Sequence, residues 1–328
     1  MAVITYREAL AQALREELHR RDCFFLMGED IGAYGGSYAV TKGFLEEFGE
    51  RRVKDTPISE SAIVGLAVGA AMMGACPMVE LMTINFSLLA MDQIVNHAAK
   101  IHYMSGGQVS VPLVLRMPTG GGYQLAAQHS QNLEGWFAHV PGLKVVTPST
   151  PYDAKGMLRA AINDGNPVIF VEHSLLYGMR GEVPEEPYTV PLGQAAVRRE
   201  GGDLTIIAYS RMAHVALEAA ARLAEQGLAA EVIDLRSLRP MDVDTLVRSV
   251  EKTSRALVVE EAPKMGGFGG EVVATISDQA FDFLDAPVGW VGGADVPMPY
   301  SKPLETLAIP NADKVVEAAR RMLPGRFA

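Results

Sequence analysis

Asp55-Thr56-Pro57-Ile58-Ser59-Glu60-Ser61 opens a run, Ala62-Ile63-Val64-Gly65-Leu66-Ala67-Val68-Gly69-Ala70-Ala71-Met72-Met73-Gly74-Ala75, in which every residue is apolar or tiny. Pro57 biases Thr56 toward extended backbone. Ser59 or Ser61 suits a helix cap, and Glu60 beside it suits the positive end of the helix dipole. The run then feeds a strand at Met78–Met82. A buried helix delivering the chain into a buried strand is the unit from which covered parallel sheets are made. The same stretch raises a question about Glu60: a carboxylate at the mouth of a buried helix is either a site residue or a capping residue that touches no ligand.

Ala62–Val79 is also long and apolar enough to suggest a membrane span. Gly65, Gly69, Gly74 and Pro77 interrupt it and Glu60 and Glu80 bracket it, so helix plus strand is the better reading and no membrane is expected.

Working outward, Thr5–Arg21 has helical spacing with Thr5 as cap, and Cys23–Met27 is a short strand ending at Gly28-Glu29-Asp30. Acids just past a strand's carboxyl end sit where open α/β sheets bind ligands. A glycine-rich loop, Gly32–Ser37, leads to a helix ending at Phe48. Asn85–Met104 reads as one long helix with Phe86 at its start. Strands at Val111–Met117, Leu143–Thr147 and Val168–Glu172 follow, with a helix at Pro151–Asn163. Pro118–Pro141 is an unusually long loop holding His129, and such loops are usually functional or mobile.

From Glu182 to Asp203 the texture turns to prolines, charges and glycines, and a second α/β rhythm begins at Leu204. The expected organisation is one domain over 1–185, a linker over 186–203 and a second domain over 204–328. The second rhythm contains strands near 204–209, 231–235, 256–260 and 288–291, and helices near 212–225, 243–252, 270–283 and 312–322.

A length of 328 residues suits two domains, and 48% hydrophobic with 21% charged residues suits a folded enzyme body. A net charge of −10 argues against nucleic acid and acidic membranes as partners. Two cysteines, Cys23 and Cys76, lie in apolar runs without metal spacing. They read as structural thiols. Met1–Tyr6 runs straight into the first helix, so neither signal nor transit peptide is expected and the setting is cytoplasmic.

Taken alone, the candidate chemistry stays ambiguous. Gly266-Gly267-Phe268-Gly269-Gly270 lies between strand and helix, but Val272 stands where a dinucleotide fingerprint needs its third glycine. It reads as a tight turn or contact surface. His129, in Gln128-His129-Ser130-Gln131, can exchange protons at neutral pH or simply be a polar loop residue. Phe86 is either a ring face for a ligand or core. Asn163-Asp164-Gly165-Asn166-Pro167 is a helix-ending turn that could also gather oxygen ligands for a hard cation.

Several motifs occur together and in order: Asp55-Thr56-Pro57-Ile58-Ser59-Glu60, Asn85-Phe86-Ser87, Tyr103-Met104-Ser105-Gly106-Gly107, Ala127-Gln128-His129-Ser130-Gln131, Pro141–Val146, Ser149–Gly156 and Gly293–Tyr300. Their combination resembles the beta subunits of the thiamine-diphosphate-dependent first component of 2-oxoacid dehydrogenase complexes, nearest the pyruvate type, over essentially the whole chain. The resemblance implies a pyrimidine-binding α/β domain, a parallel sheet with helices on both faces, followed by a transketolase C-terminal-like α/β domain. It implies that Glu60 hydrogen-bonds the aminopyrimidine N1′ of the cofactor, a charge-assisted contact worth ~1.5–3 kcal/mol, and so favours the tautomer that activates the thiazolium. By the same carry-over Phe86 stacks on that ring, Ile58 lines the pocket, Glu29 resembles the acidic residue after the first strand, a cofactor-binding position with a proton-path role, and His129 serves reductive acylation of a lipoyl group. Leu113, Ala161, Ile162, Asp164 and Asn166 resemble a structural potassium site, with Asp164 as the carboxylate ligand.

A Gly-Asp-Gly followed by an asparagine, the set that holds magnesium diphosphate, is absent. In the family it belongs to the alpha subunit. The resemblance therefore implies a heterotetramer of two alpha and two beta chains, docked on a dihydrolipoyl acyltransferase core whose lipoyl domain receives the acyl group. Glu172-His173, Leu176-Tyr177-Gly178 and Glu182-Val183-Pro184 also resemble acetoin dehydrogenase, and Arg116-Met117-Pro118 resembles branched-chain enzymes. A scaffold without catalysis and a self-sufficient transketolase-type synthase are the rival classes.

Overall fold

A computed structural model describes residues 1–323. The chain divides into two compact units, Met1–Thr119 with Trp136–Leu192, and Gly120–Gly135 with the residues from Gly193 onward.

In the first unit, β1 (Ala2–Thr5) leads into α1 (Tyr6–Arg20) through a reciprocal cap: Glu8 N–H donates to Thr5 Oγ1 while the Glu8 carboxylate accepts from Thr5 N–H. The chain continues through β2 (Phe24–Gly28), α2 (Phe44–Phe48), β3 (Val53–Asp55), α3 (Glu60–Met72) and β4 (Cys76–Glu80). After α4 (Ile101–Met104) and β5 (Val114–Thr119) the chain leaves this unit, returning through α5 (Glu134–Ala138). Next come β6 (Lys144–Val146), α6 (Pro151–Ile162), β7 (Val168–His173) and β8 (Arg180–Val183), which pairs antiparallel with β1.

The main strands lie parallel in the order β6-β7-β5-β4-β2-β3. Phe24, Leu26, Met78, Val114, Val146 and Phe170 point to one face, where α1 and α6 bury Leu10, Leu14, Leu18, Met157 and Leu158 in a single cluster. The alternate strand residues face the opposite side, where α3 packs on β4 and β2.

The sequence places one long helix at Asn85–Met104, and here the structure differs. Residues Ile84–Ala90 form tight 3₁₀ turns, Gln93–Ala98 a wide π turn, and Ile101–Met104 a last α turn. At the start of this stretch, Thr83 Oγ1 donates to Asn85 Oδ1 (2.7 Å), and Ser87 Oγ donates to the Ile84 carbonyl. Short polar side chains thus compete with the regular ladder. Beyond it, the loop expected over Pro118–Pro141 contains α5.

The second unit contains β9 (Ala196–Arg199), β10 (Leu204–Ala208), α7 (Arg211–Ala224), β11 (Ala230–Asp234), β12 (Ser237–Arg239), α8 (Val243–Thr253) and β13 (Ala256–Pro263). After these come α9 (Gly269–Gln279), β14 (Gly289–Gly293), α10 (Lys302–Ala308) and α11 (Ala312–Met322). Its sheet order is β14-β13-β10-β11-β9, with β9 the antiparallel edge. Helices α7 and α11 bury Met212, Ala216, Leu223, Val315 and Ala319 against Leu204, Ile206, Val232 and Leu257. Thr205 points the other way, and its hydroxyl meets Ser249 and Thr253 of α8, both at 2.6 Å. No helix among the described residues is long and apolar enough to cross a membrane.

Candidate active site

The strand order of the first unit reverses between β2 and β4. In open α/β sheets the crevice outside the carboxyl ends of strands at such a point is where ligands bind. β2, β3 and β4 align Gly28 with Asp55 and with Glu80, so the residues following each strand converge there. Glu29 follows β2, the Thr56–Glu60 turn follows β3, and the Thr83–Phe86 turn follows β4.

The turn after β3 is tightly held. The Thr56 N–H donates to the Gly28 carbonyl (3.0 Å), and the Asp55 carboxylate accepts N–H bonds from Gly32 (2.6 Å) and Ala33 (3.1 Å). A side chain at Gly36, which has a positive φ of 81°, would collide with Glu80 Oε1, so glycine is required there. Ser59 takes the cap position of α3, but its hydroxyl makes no cap bond.

Glu60 is thus the first residue of α3 and 6% exposed. Among the described residues no hydrogen bond or ion pair reaches its carboxylate. Nearby, the Thr56 hydroxyl is buried without a hydrogen-bond partner. Glu29 stands close enough to feel it: burial first, then the charges of Asp30 and Glu60, raise the Glu29 carboxyl above its ordinary range. Two carboxylates thus stand close enough to interact beyond β2 and β3, and neither is paired with a cation among the described residues. Such a site favours a ligand that offers a nitrogen donor or positive charge. Phe86 is half-buried on its 3₁₀ turn, while Ile58 is 75% exposed at the tip of the turn.

Below this crevice lies a charge cluster that sequence reading did not connect. Arg116 on β5 is 1% exposed; its guanidinium donates to both oxygens of Glu172 on β7 (2.5 and 2.7 Å) and to Glu80 Oε2 on β4 (2.6 Å). The Tyr177 hydroxyl donates to Glu172 (2.5 Å). Burial dominates at Glu80 and raises its carboxyl even beside Arg116. The available signal was one charge inside each of three apolar strands, with Glu80 and Arg116 opposite one another in register.

His129 belongs to the second unit and is exposed on the Gly120–Gly135 segment. Its N–H donates to the Ala126 carbonyl (3.3 Å). Further along, Glu134 and Glu260 are buried with the Tyr209 hydroxyl between them. Burial pushes each carboxyl up to about 7. Glu260 also accepts from Gly269 N–H and Trp290 Nε1, both at 2.9 Å. The glycine cluster at 266–270 packs on this carboxylate, since a side chain at Gly267 or Gly269 would strike it.

The five residues matched to a cation site gather around the end of α6. The Leu113, Ala161 and Ile162 carbonyls accept from Val168 N–H (2.8 Å), Asp164 N–H (3.3 Å) and Arg21 (3.0 Å), and Ala161 also from the Asn163 N–H. The Asp164 carboxylate is engaged by Lys144 (2.5 Å) and Asn166 (2.8 Å).

Residues 2–179 match the family described as "Transketolase, pyrimidine binding domain", and residues 193–315 match "Transketolase, C-terminal domain". A solved structure titled "Split gene transketolase, inactive beta4 tetramer" aligns with a TM-score of 0.81 at 25% identity, covering 98% of each chain. The fold and crevice therefore define a transketolase-type α/β chain. A Rhizobium meliloti (strain 1021) protein named "Pyruvate dehydrogenase E1 component subunit beta" is 50% identical over 98% of this chain and 70% of its own length. A Rickettsia felis protein of the same name is 49% identical over 97% of this chain and 98% of its own. A rice protein, "Pyruvate dehydrogenase E1 component subunit beta-2, mitochondrial", is 49% identical over 97% of this chain and 86% of its own. The chain belongs to the family of pyruvate dehydrogenase E1 component beta subunits.

Proposed function

We propose that this chain, with an alpha subunit, carries out thiamine-diphosphate-dependent oxidative decarboxylation of pyruvate and reductive acetylation of a lipoyl group on an acyltransferase component. The observation that carries the reading is the buried Glu60 carboxylate, without a partner among the described residues, at the switch point of a transketolase-type sheet. When bound, thiamine diphosphate supplies the electron sink for decarboxylation. Glu60 would hold the proton shared with N1′ of the aminopyrimidine, Phe86 would offer its ring face, and Ile58 would form part of the wall. Glu29, its carboxyl raised by burial and neighbouring charge, would serve the proton path to the cofactor. His129 handles the proton at the acyl acceptor.

Magnesium and the diphosphate fall to the alpha subunit, because this chain lacks the motif for them. An apolar surface around α3 supports such a partner: Leu66, Met73, Leu89, Tyr103 and Met104 are all strongly exposed. Gly69 faces open space, whereas Gly65 lies beside the Gln93 side chain. We therefore place the chain in an alpha/beta heterotetramer that docks on an acyltransferase core. The neighbouring free thiols Cys23 and Cys76 suit a reducing cytoplasm.

Acetoin and branched-chain substrates are the second reading, motivated by Arg116, Glu172, His173 and Tyr177. The geometry weakens it. Arg116, Glu172 and Tyr177 form the buried charge cluster, and His173 Nδ1 accepts the Leu175 N–H (3.2 Å). These residues answer to packing, so they carry little information about substrate. Co-expression with an alpha subunit and a panel of pyruvate, branched 2-oxoacids and acetoin decides between the readings; preference for acetoin or a branched acid would sink the pyruvate assignment. In the same enzyme His129→Ala is expected to lower lipoyl acetylation on the order of 10²-fold while leaving dye-linked decarboxylation within a few-fold. Equal loss in both assays would remove the acyl-transfer role.

A structural potassium ion fits the carbonyls of Leu113, Ala161, Ile162 and Asn166 better than it fits the Asp164 side chain, which Lys144 already neutralises. Replacing potassium chloride by sodium chloride is expected to lower the melting temperature by a few degrees, as loss of a ligand bound well above its Kd does. Identical melting in both salts refutes the site.

A further inference from the structure

Glu305 is a buried acid that the mechanism above does not use. It sits in α10, 2% exposed, and no cation pairs with it among the described residues. Its partners are backbone amides of the segment that carries His129. Glu305 Oε1 accepts the N–H of Gly122 (2.8 Å) and of Gln124 (3.0 Å), and its Oε2 lies 3.2 Å from the latter. Beside it Glu261, also buried, accepts the Gly121 N–H (2.8 Å).

This segment needs such support. Gln124 and Ala126, neither of them glycine, hold φ values of 58° and 63° in the left-handed region. Residues adopt that region only where surroundings over-determine it. Gly121 lies close beneath Met298 and Ile309, where a side chain would be tightly fitted. Three anchor points, at Gly121, Gly122 and Gln124, thus precede His129 by five to eight residues, and each ends on a buried carboxylate of β13 or α10. Burying an unpaired carboxylate is unfavourable unless several donors converge on it. The loop amides are the donors that Glu305 finds.

We propose that Glu305, assisted by Glu261, is a positioning residue that fixes the His129 segment for acyl transfer. This rests on the reading of His129 given above. What matters is an acceptor oxygen at the correct reach, rather than the negative charge. Glu305→Gln keeps Oε1 in place, whereas Glu305→Asp keeps the charge and withdraws the oxygens by one methylene.

In the assembled alpha/beta enzyme, Glu305→Asp is expected to lower lipoyl acetylation roughly 10- to 100-fold, the scale of a misplaced group, with dye-linked decarboxylation within a few-fold. Amide hydrogen exchange over residues 120–135 should rise in the same variant. Glu305→Gln should stay within a few-fold of the parent in both assays and keep the exchange protection. The proposal is overturned if the aspartate variant is the active one and the glutamine variant the damaged one, or if exchange over 120–135 is unchanged in the aspartate variant. His129→Ala measured alongside separates the two failures: if it leaves acetylation intact, the reading of His129 falls, whereas the exchange result still decides what Glu305 holds.

Discussion

Glu60→Gln in the assembled enzyme is expected to lose decarboxylation by a factor on the order of 10²–10⁴, the range of one positioned proton-transfer group, while folding and assembly with the alpha subunit are retained. Glutamine keeps the shape of the side chain and one acceptor oxygen, but it cannot hold the proton of a ring nitrogen as an ionised carboxylate does. Because no hydrogen bond or ion pair reaches Glu60 among the described residues, the substitution breaks no contact of the fold. Melting temperature should therefore hold or rise slightly. Glu29 provides an internal control. Its carboxyl is raised by burial and by the charges of Asp30 and Glu60, so removing one of those charges brings it down toward the ordinary range. Both effects are measurable in one preparation, by carbon dioxide release and by carboxyl titration in isotope-edited NMR. Full activity in the variant would end the assignment of Glu60.

The sequence made the repeating pattern of the fold legible because the hydrophobic periods are clean. Leu10, Leu14 and Leu18 recur at helical spacing, and Phe24–Met27 and Val168–Val171 are unbroken apolar runs that a doubly covered sheet demands. Elements that depend on distant partners were hidden. β1 and β8 are short and only partly buried, and exist because they pair with each other. α10, with Pro303 in its first turn and exposed Leu304 and Leu307, gave no apolar stripe to read. Of the site, Glu60 was legible because a charge at the edge of a long apolar run is conspicuous. Glu305 was not, since nothing local marks a glutamate whose donors come from residues about 180 positions earlier. Physics alone also left Glu60 open between cap and site, and only the order of whole motifs along the chain inclined the reading toward chemistry.

The Arg116 cluster carries the other large expectation. Replacing Arg116 by methionine keeps most of the side-chain volume but leaves Glu80 and Glu172 buried without their cation. Removing one member of a buried ion pair costs about 3–5 kcal/mol, which for a unit of this size lowers the melting temperature on the order of 10 °C. The loss should depend on pH, and the sign follows from the carboxyls. Burial raises Glu80 even with Arg116 present, and Arg116 is the influence that lowers it. Without Arg116 the folded-state pKa rises further above the unfolded value. A carboxyl raised in the folded state contributes stability that is fully present below its unfolded pKa and is lost as pH rises through its folded pKa. The gap between Arg116→Met and the parent should therefore be smaller near pH 5 and widen toward pH 8, as read by thermal melting in matched salt. A gap that narrows with rising pH, or is flat, would mean that the two glutamates do not carry the penalty. The consequence reaches the crevice as well. Glu80 ends β4, and the chain turns within three residues to Thr83 and the Phe86 platform. A guanidinium that ties β4, β5 and β7 together therefore also sets the frame of the turn that carries Phe86, the residue proposed above to face the cofactor. Cofactor affinity in the assembled variant should fall along with stability, even though Arg116 itself has no place in the crevice.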